Sequence, residues 1–375
     1  MEETGMEEEE VLNHLNELYA RDTPYKRVLS SMCTYPHPIA MKAHHQFISA
    51  NLGDPGLFAG TAEIEEKAVR LIGEMLHNPH ATGYITTGGT ESNIQAIRAA
   101  RNSINTKDPN IIVSASAHFS FDKISDLLQL EVRKAELDDL MRADIGSVER
   151  LIDNNTVALV GIAGTTEFGQ IDPIRAMSDL AEEHNLFLHV DAAFGGFVIP
   201  FLDKKYDFDF ALRGVTSITS DPHKMGLSTI PAGGLLFRED HHLHHLQTET
   251  PYLTRRTQHS LSGTRSGASV AAAYAVMTHL GMKGYKKIVN NCMGLTRHLV
   301  EKTGEIGIQP IIEPVTNVVV LDIPEVSQTR EKLRQKGWMT SITRKPPGLR
   351  LIMMPHLTEE TLDSFLNDLK TVVVQ

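Results

Sequence analysis

Leu186-Phe-Leu-His-Val-Asp-Ala-Ala-Phe-Gly-Gly196 is a short, largely apolar run that closes on a carboxylate and then breaks into small residues. Apolarity that continues instead of alternating marks a strand buried on both faces, and Asp191 falls at that strand's carboxyl edge. Runs of the same kind lie at Ile111 to Val113, Val157 to Ile162, Val215 to Ile218 and Gly234 to Phe237, with helical stretches such as Ile174 to Glu183 between them. This alternation predicts an α/β fold, a mainly parallel sheet with helices on both faces and ligands outside the carboxyl ends of the strands. After Gly267 an Ala-rich helical region extends to about His298, followed by short strands near Asn317 to Leu321 and Leu349 to Met353 and a last helix from Thr358. The expected organisation is an N-terminal helix with cleft-bordering loops over 1–60, a large sheet domain over 61–267, and a small C-terminal α+β domain over 268–375.

A chain of 375 residues exceeds the length at which one core stops growing, which agrees with a large domain and a smaller companion. The formal charge of -11, with no basic stripe, argues against nucleic acid or an acidic membrane surface as partner. No apolar run reaches membrane length, and the six glutamates of residues 1–10 do not make a charged-then-apolar leader, so the expected location is the cytoplasm. The acidic start flows into Val11, Leu12, Leu15 and Leu18, read as a solvated helix end. Cys33 and Cys292 lack a CxxC partner and read as reduced thiols.

The chemistry gathers at the predicted carboxyl edge. Lys224 closes Ser220-Asp-Pro-His-Lys224, 33 positions after Asp191 and directly after the run Val215 to Ser220. In a loop a lysine is ordinarily a surface charge; desolvated in an apolar cleft it has a lowered pKa and supplies a neutral amine for an aldehyde. Asp191 alone reads equally as a cap of the next turn. Thr86-Thr-Gly-Gly-Thr-Glu-Ser-Asn93 leads into a helical stretch, and Gly88 and Gly89 let the backbone approach an anion while the Thr90 hydroxyl donates; the plainer reading is an N-cap. Neither GxGxxG nor GxxxxGK[ST] is present there, which disfavours a nucleotide. Ser220 and His223 suit a phosphate oxygen. His118 follows the strand run Ile111 to Ser114, where its ring either stacks on an aromatic ligand or serves as a core or capping histidine. A Schiff-base lysine, a carboxylate for a pyridine nitrogen and a phosphate loop together specify one cofactor, pyridoxal 5'-phosphate.

The set Gly88-Gly-Thr-Glu-Ser92, His118, Asp191-Ala-Ala193 and Asp221-Pro-His-Lys224, in that order, resembles the group II pyridoxal-phosphate-dependent amino acid decarboxylases of aspartate aminotransferase fold, fold type I. The runs Ser31-Met-Cys-Thr-Tyr-Pro-His-Pro38, Asn51-Leu-Gly-Asp-Pro-Gly56 and Gly263-Thr-Arg-Ser-Gly-Ala268 are similar to those of the archaeal L-tyrosine/L-aspartate decarboxylase family, and the likeness spans nearly the whole chain beyond the first ten residues. The resemblance implies that residues 61–267 bind the cofactor, that Lys224 carries it as a Schiff base and that Asp191 pairs with its pyridinium nitrogen. It implies that His118 stacks on one face of the ring with Ala193 against the other. Gly88 also contacts the cofactor, and the phosphate falls to Gly89, Thr90, Ser220 and His223, with Gly263 and Thr264 reaching it from the second subunit of a homodimer. The reaction implied is loss of the α-carboxylate through a quinonoid intermediate, giving β-alanine from aspartate toward coenzyme A, tyramine from tyrosine toward methanofuran, or both.

Tyr252, in Thr250-Pro-Tyr-Leu-Thr254, is a candidate proton donor, since decarboxylases of this group often use a mobile-loop tyrosine; it reads equally as a packing aromatic. Arg350 interrupts an apolar strand and reads as a fork for a substrate carboxylate or as one half of a structural ion pair. His241, His242, His244 and His245 read as a polar helix face, with no metal expected. Two other functions stay open: a pyridoxal-phosphate carbon–carbon lyase acting on a phosphorylated amine, of the sphingosine-phosphate lyase type, and a non-catalytic phosphate-binding module built on Gly88 and Gly89.

Overall fold

The computed structural model describes residues 3–373. Seven strands form the main sheet: β1 (Thr82–Thr86), β2 (Asn110–Ser114), β3 (Glu131–Ala135), β4 (Thr156–Ile162), β5 (Phe187–Asp191), β6 (Val215–Thr219) and β7 (Gly233–Phe237), in the order β1-β7-β6-β5-β4-β2-β3. A hairpin pairs β8 (Thr248–Glu249) with β9 (Thr257–Gln258), and a small antiparallel sheet holds β10 (Val318–Leu321), β11 (Ser341–Ile342) and β12 (Leu349–Ile352). The helices are α1 (Glu8–Tyr19), α2 (Pro38–Gln46), α3 (Ala59–Met75), α4 (Gly89–Ser103), α5 (Ser120–Leu128), α6 (Ile145–Leu151), α7 (Ile174–His184), α8 (Asp240–His244), α9 (Gly267–Gly304), α10 (Val326–Gln335) and α11 (Glu359–Val373).

The main sheet is parallel from β3 through β6, as the continuous apolar runs predict, and β7 departs by running antiparallel to both neighbours, β6 and β1. β1 therefore points the same way as β6. Side chains of a strand alternate between faces. On β5, Leu188 and Val190 join the layer built by α3, α7 and α9, while Phe187 joins the opposite layer with Ile94 and Ile97 of α4 and Phe121 of α5. His189 and Asp191 consequently share the α4 side. The carboxyl ends of β1, β2, β5 and β6 carry the Gly88-Gly89 loop, His118, Asp191 and the Ser220–Lys224 run to one edge of the sheet.

Two strands escape the sequence pattern. β1 contains Gly83, which lies against the Leu235 backbone of β7, and β3 is a charged edge strand whose Glu131 and Lys134 are exposed. The long helical region after Gly267 continues past His298 to Gly304 and is broken at Gly281, whose φ of +54° a side chain disfavours. α1 buries none of its residues. Among the described residues no helix is long and apolar enough to cross a membrane. Arg265, next to Gly263-Thr264, is clamped bidentately by Glu65 of α3 at 2.6 and 2.8 Å, which ties that loop to the main domain.

Candidate active site

At the carboxyl edge lies a cleft of about 380 Å³ whose wall includes Gly88, Gly89, Thr90, His118, Asp191, Ala193, His223 and Lys224. Eight predicted positions from four separate strand ends thus meet in one cavity. Met32 also lines it, whereas Leu52, Gly53 and Pro55 of the second predicted loop border a different cavity beside Arg265.

Gly88 sits at φ +150°, ψ 177°, a conformation open essentially to glycine, and a Cβ there would come 3.1 Å from the His223 ring. The helix behind it has no side-chain cap, so first-turn amides of α4 face the cleft end as anion donors. Gly89 is an exception: its N–H donates to Asp221 Oδ2 at 2.9 Å. Glu91 pins the loop by accepting from the Thr87 amide at 2.8 Å and its hydroxyl at 2.7 Å.

Lys224 is not sheltered among apolar groups as expected. Its Nζ lies 3.5 Å from Asp221 Oδ2, an almost fully buried carboxylate that also stands 3.8 Å from His223 Nε2. Asp221 Oδ1 has no hydrogen-bond partner among the described residues. Ser220 is buried with its Oγ turned toward Gly196; it is outside the cleft wall and likewise lacks a partner among the described residues. His118 is half-buried, and burial pushes its imidazole below the ordinary value, so a neutral ring faces the cleft.

Asp191 is 6% exposed; its Oδ1 accepts from the Ala193 amide at 3.1 Å and its Oδ2 from Asn93 Nδ2 at 2.8 Å. Behind it Asn93, His189 and Thr219 form a buried polar cluster. Sequence reasoning missed these residues and the contacts of Asp221. The signal for His189 was legible, since it stands two positions before Asp191 and so shares its face.

Other expected residues lie elsewhere. Arg350 is buried just behind the wall: Nε donates to the carbonyl of Thr166, a wall residue, at 2.5 Å, and Nη1 donates to Ser30 O and Ser341 Oγ, each at 3.1 Å. Its partners are carbonyls and a hydroxyl, not the acidic residue of the ion-pair alternative, and burial pushes its pKa down to about 10. Tyr252 is 83% exposed between β8 and β9, and Gly263 and Thr264 are exposed near Gly53; within one chain none of the three reaches the cleft wall. His242 packs on Phe187 and Phe237, and among the described residues no cluster of His, Cys, Asp or Glu is arranged to hold a metal.

Residues 59–320 match the family model described as the pyridoxal-dependent decarboxylase conserved domain. A probable L-tyrosine/L-aspartate decarboxylase of Methanothrix thermoacetophila is 59% identical, covering 99% of this chain and 97% of its own length. A probable L-aspartate decarboxylase of Archaeoglobus fulgidus is 53% identical over 97% of this chain and 99% of its own. Among solved structures, a sphingosine-1-phosphate lyase of Burkholderia pseudomallei superposes with a TM-score of 0.92 at 27% identity, covering 100% of this chain and 92% of the other. A glutamate decarboxylase of Lactobacillus brevis, at 22% identity, shares the fold with a TM-score of 0.91 over 100% of this chain and 94% of its own. A glycine cradle, an amine and a buried carboxylate meeting in one cleft fit pyridoxal phosphate, and with these matches the chain belongs to the pyridoxal-dependent decarboxylase family, in the fold type I class of pyridoxal-phosphate enzymes.

Proposed function

We propose that this decarboxylase removes the α-carboxylate of L-aspartate, L-tyrosine or both, yielding β-alanine for coenzyme A or tyramine for methanofuran, in the cytoplasm and as a homodimer. The observation that carries the reading is the meeting of Lys224, Asp191 and the Gly88-Gly89 cradle in one cleft, in a chain 59% identical to a relative named for both substrates.

Bound pyridoxal phosphate supplies an aldehyde and an electron-accepting ring. The chain's own residues then divide the work. Lys224 Nζ, 3.5 Å from Asp221, is the amine that would hold the cofactor's aldehyde covalently. Asp191 would hold a proton at the ring nitrogen, its Oδ1 fixed by the Ala193 amide. The neutral His118 ring would hold the cofactor's ring from one side of the cleft and Ala193 from the other. Thr90, His223 and the first-turn amides of α4 would hold the phosphate, and Ser220 would join them from a rotamer other than the one that faces Gly196. Gly263 and Thr264, exposed on the loop that Arg265 ties to the main domain, and Tyr252, exposed between β8 and β9, serve the cleft of a second copy, Tyr252 as proton donor. Arg350, buried behind Thr166, offers a substrate carboxylate the Nη2 group that its bonds to Thr166, Ser30 and Ser341 do not use.

A panel of purified enzyme with aspartate, tyrosine, glutamate and a phosphorylated amino alcohol tests this. The expected result is amine and carbon dioxide from aspartate or tyrosine. Aldehyde from the phosphorylated amine, with no amine from either amino acid, would favour the carbon–carbon lyase instead.

A further inference from the structure

Where α4 crosses β5 and β6, Asn93 opens the second turn of the helix and is 1% exposed. Its Nδ2 donates to Asp191 Oδ2 at 2.8 Å and to Ser120 Oγ at 3.2 Å. Its Oδ1 accepts from Thr219 Oγ1 at 2.9 Å and lies 3.0 Å from His189 Nε2. A carboxamide has two N–H groups and two lone pairs, so its full capacity is used.

The network has one consistent direction. A carbonyl turned toward the Asp191 carboxylate would repel it, so the amino end faces Asp191 and the carbonyl end needs donors. His189 therefore carries its proton on Nε2, shared between Asn93 Oδ1 and Thr219 Oγ1 at 3.2 Å, and its Nδ1 accepts from Ser217 Oγ at 2.8 Å. Burial holds that imidazole neutral. Apolar residues of similar volume would fill this layer without desolvating the five polar side chains Asn93, Ser120, His189, Ser217 and Thr219, so packing alone does not call for it. The chain of bonds ends at a single atom of the site, Asp191 Oδ2, and the donor there is uncharged, which leaves the carboxylate's charge directed to the cleft.

We propose that Asn93 is the positioning residue for Asp191, with Thr219 and the Nε2–H tautomer of His189 fixing the sense of its amide. This rests on Asp191 holding the proton at the cofactor's ring nitrogen. The test is the ring-nitrogen NMR shift of holoenzyme loaded with ¹⁵N-labelled pyridoxal phosphate, without substrate, in wild type, Asn93→Ala and Thr219→Val. In Asn93→Ala the signal moves toward that of the unprotonated ring, and kcat falls about 10- to 100-fold, the scale of a misplaced catalytic group, with KM little changed. Thr219→Val moves both in the same direction by less. Wild-type ring signal and near wild-type kcat in both variants, whatever their melting temperatures, overturn the proposal; if Asn93→Ala fails to fold, Thr219→Val alone decides in the same way. An unprotonated ring in wild type removes the reading of Asp191 and the proposal with it, whereas a protonated ring in an enzyme inactive on every amino acid leaves this proposal standing and removes only the substrate reading.

Discussion

The two walls of the cleft are built on different terms. Behind Asp191 the polar groups of Asn93, His189 and Thr219 are bonded to one another in a dry layer. On the Lys224 side, Asp221 Oδ2 draws Gly89, Lys224 and His223 while its Oδ1 and the Ser220 hydroxyl stay unpartnered among the described residues. A fully satisfied network is rigid; a partly satisfied one holds polar capacity for bonds that change. The first wall fits a residue that keeps one orientation through turnover. The second fits an amine that must leave its carboxylate to react.

The largest break in this contrast is expected from Asp191→Ala. It loses about 100-fold or more in decarboxylation, within the range for a group that governs proton placement, while the cofactor still fills the site. Turnover near wild type at full occupancy would refute the role. Next is acid. Burial lowers His189 and His242 from 6.5 to about 4, so between those values the unfolded chain takes up protons that the folded chain refuses, and stability falls as pH drops through that window. Asp172, raised by burial from 3.8 to about 6, opposes this by taking a proton only when folded. Two histidines against one carboxyl predict a net loss, read as a falling urea midpoint from pH 7 to 4.5. A rising midpoint would contradict it.

Gly88→Ala probes the phosphate loop. Its φ of +150° and the nearby His223 ring put the cost at about 1–3 kcal/mol, measured as lost stability and weaker cofactor binding. The smallest effect separates neighbours in sequence: Thr219→Val removes bonds to Asn93 and His189 and costs about 1 kcal/mol in cofactor-free protein, whereas Ser220→Ala deletes an unpartnered hydroxyl and leaves stability level or higher. Equal losses would erase the distinction between the walls.

What the sequence disclosed follows the same division. β4, β5 and β6 were legible because continuous apolarity requires burial on both faces, and Asp191, His118 and Lys224 were legible because each follows such a run. Strand direction leaves no mark in composition, so the reversal of β7 was not. β1 is interrupted by Gly83 and β3 is charged at the sheet edge, so neither resembles a buried strand. Asn93 stands in the Gly-Gly run, but nothing in that run marks its role, which depends on α4 crossing β5 and β6. Ser220 illustrates the opposite case: its chemistry suits phosphate, while the backbone turns its hydroxyl toward Gly196.

The proposed chemistry depends on Lys224 as the covalent residue of the site. Borohydride reduction of the purified protein with pyridoxal phosphate, followed by peptide mass mapping, tests that directly. The expected result is one modified lysine per chain, on the peptide containing Lys224, and none in Lys224→Ala; an unmodified Lys224 in protein that still binds phosphate at Gly88 and Gly89 would overturn this and leave a phosphate-binding module in its place.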